Sequence, residues 1–473
     1  MGGDVGDSEN LPEQKYVDVL VVGAGTAGLY AAWRLRKLGL SVTCVDRVAR
    51  GRGGAQWVNG VPAWSFAELG LKDRSGERGD VFSMGPASGS CRYTVHDNPV
   101  LDIDMRNLNE ELLSLCERAG VELWFDTSVV AHQVDAGGLR QVSIRRGNPG
   151  TEYLEVCARL FVDASGLKGA LKKSLVSMCE QWPEIAPSDL CAAAQYVMKI
   201  DSIEGARKFL KTTRLADKEA MGWLGGYGGF SLLRVHVDLE HEHVSLLTGS
   251  IAEQGIPSGK RILQNFVEQH DWIGAELFGG SRVIPLRRAY SVLGAGRIAL
   301  VGDSASQVFA PHGSGIAMGM LAGKHLAETL ASVLEQHGDI GSDQALWGYS
   351  SSFHETWGGI LGFADAFRRF SQSLSAHDMD ELFRSGLMTP HLLRDGLTQL
   401  KPSVDLASLP LQARAIVRLP RLGVRLVNVL GRLPLCLAAA AAYPKALPAS
   451  PQSPMAYELL MRSLVDTVSK GDA

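Results

Sequence analysis

Residues 16–47 read YVDVLVVGAGTAGLYAAWRLRKLGLSVTCVDR, and this stretch decides the fold. The apolar, β-branched run at 17–22 predicts a buried parallel strand. A glycine-rich hexapeptide at 23–28 follows it directly, and Leu29 then opens an apolar pattern with helical spacing. A second apolar run, at 42–45, ends at Asp46. The order of strand, glycine turn, helix, strand and acid indicates a nucleotide-binding α/β unit.

Each part of that order has a physical role in binding a dinucleotide. Gly23 permits the tight turn, Gly25 lets a pyrophosphate approach the backbone, and Gly28 lets the helix pack closely on the strand. The free amides at the start of the helix, together with the positive end of its dipole, favour phosphate. A carboxylate at Asp46 is suited to a ribose hydroxyl. The candidate cofactor-binding residues of this stretch are Gly23, Ala24, Gly25, Thr26, Ala27, Gly28 and Asp46.

Composition limits the class of protein. A chain of 473 residues is too long for one compact core, so two or three domains are expected. The chain is 45% hydrophobic and 21% charged, with a net charge of −4, which is ordinary for a globular protein and shows no nucleic-acid footprint. Its seven cysteines form no CxxC pair, which favours reduced thiols and a cytoplasmic location. Residues 1–15 are expected to be a flexible leader, and the sequence has no run of about 18 consecutive apolar residues to predict a spanning helix.

A second stretch repeats the first pattern near residue 300. Residues 297–330 read RIALVGDSASQVFAPHGSGIAMGMLAGKHLAETL. A short predicted strand at 298–301 leads to Gly302 and Asp303, and a Pro-His-Gly-Ser-Gly turn then leads into a helix. An acid and a helix N-terminus at a strand end suit phosphate or polyol groups. One long ligand can therefore occupy both sites if the two stretches meet in space.

Four motifs in this order resemble the family of FAD enzymes that includes p-hydroxybenzoate hydroxylase, geranylgeranyl reductase and the flavin-dependent halogenases. They are GAGTAG with Asp46, DMRNLNEELLSLCERAGV at 104–121, LFVDASGLKGAL at 160–171, and VGDSASQVFAPHGSGIAMGMLAGKHLA at 301–327. The resemblance implies FAD as the cofactor, with Asp303 at the ribityl chain and the amides near Gly315 and Ile316 at the flavin edge. The further cofactor-binding residues that it implies are Arg47, Gly54, Ala55, Arg106, Val130, Asp303, Gly315 and Ile316.

The expected fold class is α/β: a Rossmann-like FAD-binding domain with an inserted antiparallel β-sheet substrate domain and a helical C-terminal region. We expect the FAD-binding domain at 16–61, 95–178 and 285–335, the substrate domain at 62–94 and 179–284, and the helical region at 336–473. Strand-like runs with turn-rich borders at 192–200, 230–238 and 243–251 support the inserted sheet. Helices are expected at 106–120 and after Gly166, the latter carrying Lys168, Lys172 and Lys173.

The motifs do not select the reaction. A monooxygenase that oxidises an aromatic or apolar small molecule is favoured over a geranylgeranyl-reductase-like reductase of C=C bonds. A halogenase is less favoured, because the WxWxIP motif is absent and Ser90-Cys91-Arg92-Tyr93 stands where the halogenase lysine is expected. A non-catalytic flavin-binding protein is the fourth possibility. No second glycine triplet opens a strand–helix unit, so electrons would come from transiently bound NAD(P)H, from a partner flavin reductase or from the substrate.

Two loops next to the expected flavin site have two interpretations each. His312 is the candidate catalytic residue, since a histidine that titrates near neutral pH can relay a proton; the other interpretation is a hydrogen-bonded turn residue. Residues 53–56 either run beside the bound ring system or form a flexible connection.

Two polar clusters lie outside the motifs. His236, His241 and His243 alternate with acids, which favours a solvated hairpin turn over a metal site, and no metal is expected. The stretch 409–437 mixes apolar residues with five arginines. It fits either a packed helix pair with a solvated basic face, which is favoured, or a contact with a membrane surface.

Overall fold

The computed structural model describes residues 13–147, 152–403, 405–448 and 452–468. Its strands are β1 (Glu13–Val22), β2 (Val42–Val45), β3 (Val58–Pro62), β4 (Phe82–Pro86), β5 (Tyr93–Val95), β6 (Val100–Asp104), β7 (Glu122–Trp124), β8 (Thr127–Asp135), β9 (Gly138–Arg146), β10 (Glu152–Asp163), β11 (Leu190–Ile200), β12 (Ala220–Leu224), β13 (Ser231–Asp238), β14 (His243–Ser250), β15 (Ile273–Pro285), β16 (Gly294–Ala295) and β17 (Ile298–Leu300). Its helices are α1 (Thr26–Arg36), α2 (Trp64–Glu68), α3 (Met105–Ala119), α4 (Ile203–Thr213), α5 (Gly259–Glu268), α6 (Ile316–Glu335), α7 (Asp343–Phe353), α8 (Gly359–Gln372), α9 (Ala376–Arg384), α10 (Pro390–Thr398), α11 (Leu409–Arg418), α12 (Pro420–Leu430), α13 (Arg432–Ala441) and α14 (Gln452–Val465).

The first sheet has a parallel centre. Strands β17, β10, β1, β2 and β7 lie side by side in that order, and all four of their pairings are parallel. Val19, Leu20 and Val21 of β1 are fully buried, which explains the uninterrupted apolar run. Strands β9 and β8 extend the sheet as an antiparallel meander. The predicted α/β class with a Rossmann-like sheet is therefore confirmed.

Two local expectations about the first sheet are wrong. The leader was expected to include residues 13–15, but β1 begins at Glu13 and pairs there with Leu154. Residues 1–12 lie outside the described part of the chain. The helix expected after Gly166 is only one turn, Lys172–Ser174. The buried Asp163 carboxylate accepts hydrogen bonds from the amides of Leu171 and Lys172, and this holds the segment in an irregular loop.

The second sheet has the order β15-β11-β14-β13-β12-β4-β5. It is antiparallel except where β4 lies parallel to β12. One face is covered by α4 and α5, whose Leu210 and Leu263 pack against Val235 and Leu246. The opposite face, called the inner face below, turns toward the first sheet.

The helices after α6 pack against both sheets. Arg368 of α8 is fully buried and donates to Asp189, which precedes β11, at 2.8 Å, and to Asp365 at 2.6 Å. Burial alone would raise the pKa of Asp365, but Arg368, Arg369 and Arg288 hold it well below its usual value. This buried charge cluster joins the helical region to the start of the second sheet.

One helical span stands out by composition. Among the described residues, Pro420–Ala441 is long and apolar enough to cross a membrane by length and composition alone, with a mean hydropathy of 1.5 over its most apolar window. Only 28% of that window is buried inside the protein. The inner sides of α12 and α13 nevertheless pack on the helical core through Leu422, Leu426 and Cys436.

Candidate functional site

The glycine turn after β1 has the close contacts that its sequence predicts. Gly23 has a φ of +112°, and a Cβ there would lie 2.3 Å from the Ala164 carbonyl oxygen. A Cβ on Gly28 would lie 1.9 Å from the Gly23 oxygen, so only glycine allows α1 this close to the turn. A Cβ on Gly25 would lie 3.3 Å from the Cα of Gly54. The loop at 53–56 therefore lies against the glycine turn.

The start of α1 is open to an anion. Its N-cap residue is Gly25, which has no side chain to accept from the first helical amides. The Asp46 carboxylate accepts from the Ala24 amide at 2.6 Å and from the Val48 amide at 3.1 Å. Asp46 is partly exposed, so it both fixes the turn and presents an oxygen to the cleft.

The second motif lies beside the first because α1 and α6 pack through small residues. A Cβ on Gly302 or on Gly319 would lie 3.1 or 3.0 Å from the Cβ of Ala27. A Cβ on Gly323 would lie 3.2 Å from that of Ala31. The condition that one ligand reaches both motifs is therefore met.

Asp303 and the start of α6 complete the cleft. The N-cap of α6 is Gly315, again without a side chain, and a Cβ there would lie 3.0 Å from Asp303 Oδ1. Burial raises the pKa of Asp303, and Arg282 opposes that shift. Two open helix N-termini and two carboxylates thus face one cleft, which fits the phosphates and hydroxyl groups of FAD.

Arg282 is the residue that sequence reasoning missed. Its guanidinium donates to the Gly54 carbonyl oxygen and lies 5.7 Å from the centre of the Trp57 ring. Burial lowers the pKa of Arg282, while Asp303 and Asp46 act in the opposite direction. It therefore sits within electrostatic reach of both carboxylates, in the middle of the cleft. An arginine that follows two glycines in a strand is no motif, so only the fold reveals it.

Arg106 and Val130 occupy different surroundings from one another. Arg106 pairs with Asp104, with 2.6 Å between Nη2 and Oδ2, and its guanidinium lies 3.7 Å from the centre of the Phe278 ring. Its approach to a pyrophosphate stays a prediction.

Val130 lies at a bulge in β8, between the ladder pairs of Val129 and Ala131, with its side chain exposed. A residue outside the ladder has backbone groups available for a ligand.

His312 lies on the loop between β17 and α6. Its backbone amide donates to the Phe309 carbonyl at 3.2 Å, and its ring meets the Phe309 ring edge-on at 5.1 Å. The side chain is exposed to solvent. Desolvation by the protein atoms around the ring still lowers the pKa of His312 to about 4. The ring is therefore neutral near pH 7, which suits a hydrogen-bond donor or acceptor more than a charged proton source.

The inner face of the second sheet is tied to the first sheet along β15. Four alternate residues of β15, from Phe278 to Ile284, contact the nucleotide-binding part of the chain. The pairs are Phe278 with Arg106, Gly280 with Trp57, Arg282 with Gly54, and Ile284 with Gly313. This edge of the sheet therefore borders the cofactor cleft.

An apolar row runs across the inner face from Arg282. In register with Arg282 lie Ala193 of β11, Gly249 of β14, Leu232 of β13 and Leu224 of β12. The two residues nearest Arg282 are small, and the Cys191 side chain covers Gly249, where a Cβ would lie 2.9 Å from its Sγ. Ala193, Leu232 and Leu224 remain partly exposed. This row, called the apolar floor below, begins at the edge of the cofactor cleft.

A cavity of about 290 Å³ lies mainly at the helix-covered face of the same sheet, and Leu232 of the apolar floor also borders it. Phe209, Trp223, Leu233 and Phe266 are among its lining residues, and none of the nucleotide-motif residues is. It is therefore not the cofactor site.

The histidine-rich segment is the turn between β13 and β14. Ligand atoms of Asp238, Glu240 and His241 lie within 4.8 Å of one another. The Lys218 ammonium contacts Glu240 and lies 4.0 Å from Asp238, so a cation already neutralises the group. His241 accepts or donates at 2.8 Å to Asp238. We assign no metal to this turn.

These features define an FAD-binding oxidoreductase, and the comparisons agree. The chain belongs to the FAD-binding domain family, whose model matches residues 16–355. It is 25% identical over 381 residues to a digeranylgeranylglycerophospholipid reductase of Sulfolobus acidocaldarius. The aligned residues cover 78% of this chain and 80% of that protein.

Two solved structures share the fold. A geranylgeranyl bacteriochlorophyll reductase-like protein from Thermoplasma acidophilum has a TM-score of 0.68 at 18% identity, over 88% of this chain and 100% of that one. The myxobacterial chondrochloren halogenase CndH has a TM-score of 0.57 at 16% identity, over 96% of this chain and 97% of that one. The predicted superfamily is thus confirmed, and the chain is an FAD-dependent oxidoreductase.

Proposed function

We propose that this oxidoreductase binds FAD noncovalently and reduces C=C bonds in an elongated, apolar, isoprenoid-type chain. The apolar floor carries the proposal, because its partly exposed, uncharged side chains form a row that begins beside the cofactor cleft. The relative from Sulfolobus acidocaldarius supports it, since the similarity extends over 80% of a digeranylgeranylglycerophospholipid reductase.

The chemistry of the floor fits a substrate without charge. Beside the row described above, Leu247 of β14 is also partly exposed and lies in register with Gln195. The nearby cation Arg234 already pairs with Asp102, with 2.5 Å between Nη2 and Oδ2. A long apolar chain therefore gains burial against leucines, at about 25 cal/mol per Å², without stranding a charge.

Reduction of a C=C bond adds a hydride to one carbon and a proton to the other. Bound reduced FAD supplies hydride chemistry. His312 is our candidate for the proton route, because it is exposed on the loop that leads into α6 and its ring is neutral. The ring would hydrogen-bond a water molecule that passes a solvent proton to the substrate carbon. The electron donor to FAD is proposed to be exchangeable NAD(P)H or a partner reductase.

Monooxygenation, which the sequence favours, remains the second candidate. The same dry cleft would serve an aromatic substrate, and Trp57 supplies an aromatic wall that is 8% exposed. Halogenation has less support, because residues 87–92 form the loop between β4 and β5 and contain no lysine.

The test uses the FAD-loaded protein under anaerobic conditions with a C=C-containing polyprenyl lipid. The expected product carries two additional hydrogens and no oxygen. Leu247→Trp, which narrows the inner face, should lower kcat/KM about tenfold or more, in line with the cost of overpacking. Leu233→Trp is the matched control, because it faces the cavity on the other side of the sheet. An oxygenated product, formed only in air, would instead support monooxygenation.

A further inference from the structure

Helices α11–α13 lie in an unusual stretch of sequence. Between Asp405 and Glu458 the chain contains no acidic residue. Its cations there are Arg414, Arg418, Arg421, Arg425, Arg432 and Lys445. A stretch this long without a carboxylate, in a chain of net charge −4, concentrates positive charge on one part of the molecule.

The solvent side of these helices is apolar where a soluble protein usually places charge. On α12, Leu422, Leu426 and Val429 point into the helical core. Six large apolar side chains are exposed on the three helices: Leu409 at 46%, Leu411 at 53%, Val417 at 81%, Val424 at 61%, Val427 at 53% and Leu435 at 51%.

Three arginines flank that apolar side. Arg414, Arg418 and Arg421 are exposed, and the described part of the chain gives none of them a carboxylate within 4 Å. Arg425, in contrast, donates to Ser373 at 2.7 Å. We call Val417, Val424, Val427 and Leu435, together with these three arginines, the docking face.

We propose that the docking face binds the surface of a lipid bilayer that contains anionic lipids. The valines and leucine match the acyl boundary, and the arginines match the negative headgroups. The helices would lie in the plane of the interface, because their inner sides are part of the protein core. Of the two sequence interpretations, the proposal takes the contact with a membrane surface, because exposed valines and leucines lie on these helices beside the arginines.

The helices that carry the docking face share their core with the second sheet. The helical core beneath α12 also contains Met84 and Leu224, and Leu224 is the last member of the apolar floor. A protein docked in this way would therefore hold the floor near the membrane. The binding proposal itself does not depend on the reaction that FAD supports.

The experiment is co-sedimentation of the FAD-loaded full chain with vesicles of phosphatidylcholine, with and without phosphatidylglycerol. Binding is expected only with the anionic lipid and should weaken as salt rises. Changing Arg414, Arg418 and Arg421 together to Gln should weaken vesicle binding about a hundredfold. Val424→Asp combined with Val427→Asp should weaken it about tenfold or more.

Matched controls separate the docking face from general charge and hydrophobicity. Arg207, Lys208 and Lys211 of α4 are also exposed, and changing them to Gln should leave vesicle binding within about twofold. Val176→Asp is the control for the valine substitutions, because Val176 is 79% exposed but lies outside the helical region. FAD content and thermal melting verify that each variant is folded.

Four outcomes would overturn the proposal. The first is no binding to anionic vesicles. The second is equal loss of binding in the control and docking-face variants. The third is an association that resists high salt and extraction, which would indicate a spanning helix. The fourth is a dimer in solution that Val424→Asp disrupts, which would assign the face to a second copy of the chain.

Discussion

The Asp46 carboxylate connects the end of β2 to the glycine turn through the Ala24 amide. We predict that Asp46→Ala weakens FAD binding by about 1–3 kcal/mol, because the turn loses a charged acceptor and the ribose loses its partner. Titration of the apoprotein with FAD, followed by flavin fluorescence, measures the change. The FAD affinity of Asp46→Asn, which keeps one acceptor oxygen, should lie between those of the wild type and Asp46→Ala. Equal affinity of all three proteins would remove Asp46 from the site.

His312 should affect turnover more than cofactor binding. We expect His312→Ala to keep FAD affinity but to slow the step after flavin reduction by about 10²-fold. Since the pKa of His312 is lowered to about 4, the ring stays neutral through the ordinary histidine range. The rate should therefore show no His312-dependent limb near pH 6.5. A normal rate in the variant would make His312 a turn residue, and loss of FAD would make its role structural.

Some individual residues are readable from sequence and others are not. Gly23, Gly28 and Asp46 belong to a motif whose geometry follows from its glycines, and the structure gives each a close contact that explains it. Arg282 lies far from the motifs in sequence and reaches the cleft only because β15 crosses there. A role that depends on the pairing of distant strands leaves no local pattern.

The contact between α1 and the glycine turn can be tested with two glycine substitutions. Gly28→Ala places a methyl group 1.9 Å from a backbone oxygen, so the helix must move and FAD binding should be lost. Its cost to the free energy of unfolding should be about 1–3 kcal/mol or more. Gly396 lies within α10 with open space at its Cβ position, so Gly396→Ala should stabilise by about 0.5–1 kcal/mol. Chemical denaturation of both variants checks the pair; equal effects would contradict it.

The π-helical segment His354–Gly358, which joins α7 to α8, should make stability depend on pH. His354 is 2% exposed, its Nε2 donates to the Tyr290 carbonyl at 3.0 Å, and burial lowers its pKa to about 4. The unfolded chain therefore binds a proton between about pH 6.5 and 4 that the folded chain does not. As the pH is lowered from about 6.5 to 4, this group should therefore reduce the free energy of unfolding by up to about 1.4 kcal/mol per pH unit.

Urea denaturation across that pH window measures the slope. His354→Gln keeps a donor to the Tyr290 carbonyl but does not titrate, so its slope should be smaller than that of the wild type. An unchanged slope would place the dependence elsewhere. His325, whose pKa is also lowered to about 4, would be the next group to change.

Long periodic elements were predictable, and elements shaped by distant contacts were not. The expected helix at 106–120 is α3, and the expected strands at 230–238 and 243–251 are β13 and β14. The expected helix after Gly166 fails because Asp163 binds the backbone amides that a helix would use. The parallel pairing of β4 with β12 joins segments more than a hundred residues apart, which no local pattern indicates.

At the scale of the whole molecule, the two sheets meet along β15 and enclose the cofactor cleft. The fold class and the superfamily are confirmed, while the domain limits, the individual FAD contacts and the cytoplasmic location stay predictions. The reaction is the part least readable from sequence. The motifs are local patterns that indicate FAD, whereas the apolar floor, on which we propose that the substrate binds, is assembled from single residues of four strands.

The most direct test of the account is the anaerobic reoxidation of reduced, enzyme-bound FAD by a polyprenyl lipid. The flavin is reduced with dithionite, and its visible absorbance is followed after the lipid is added. We predict that the oxidised spectrum returns without oxygen, one FAD for each C=C bond that becomes saturated. A flavin that stays reduced until oxygen is admitted, with a product that gains an oxygen atom, would contradict the proposed reductase.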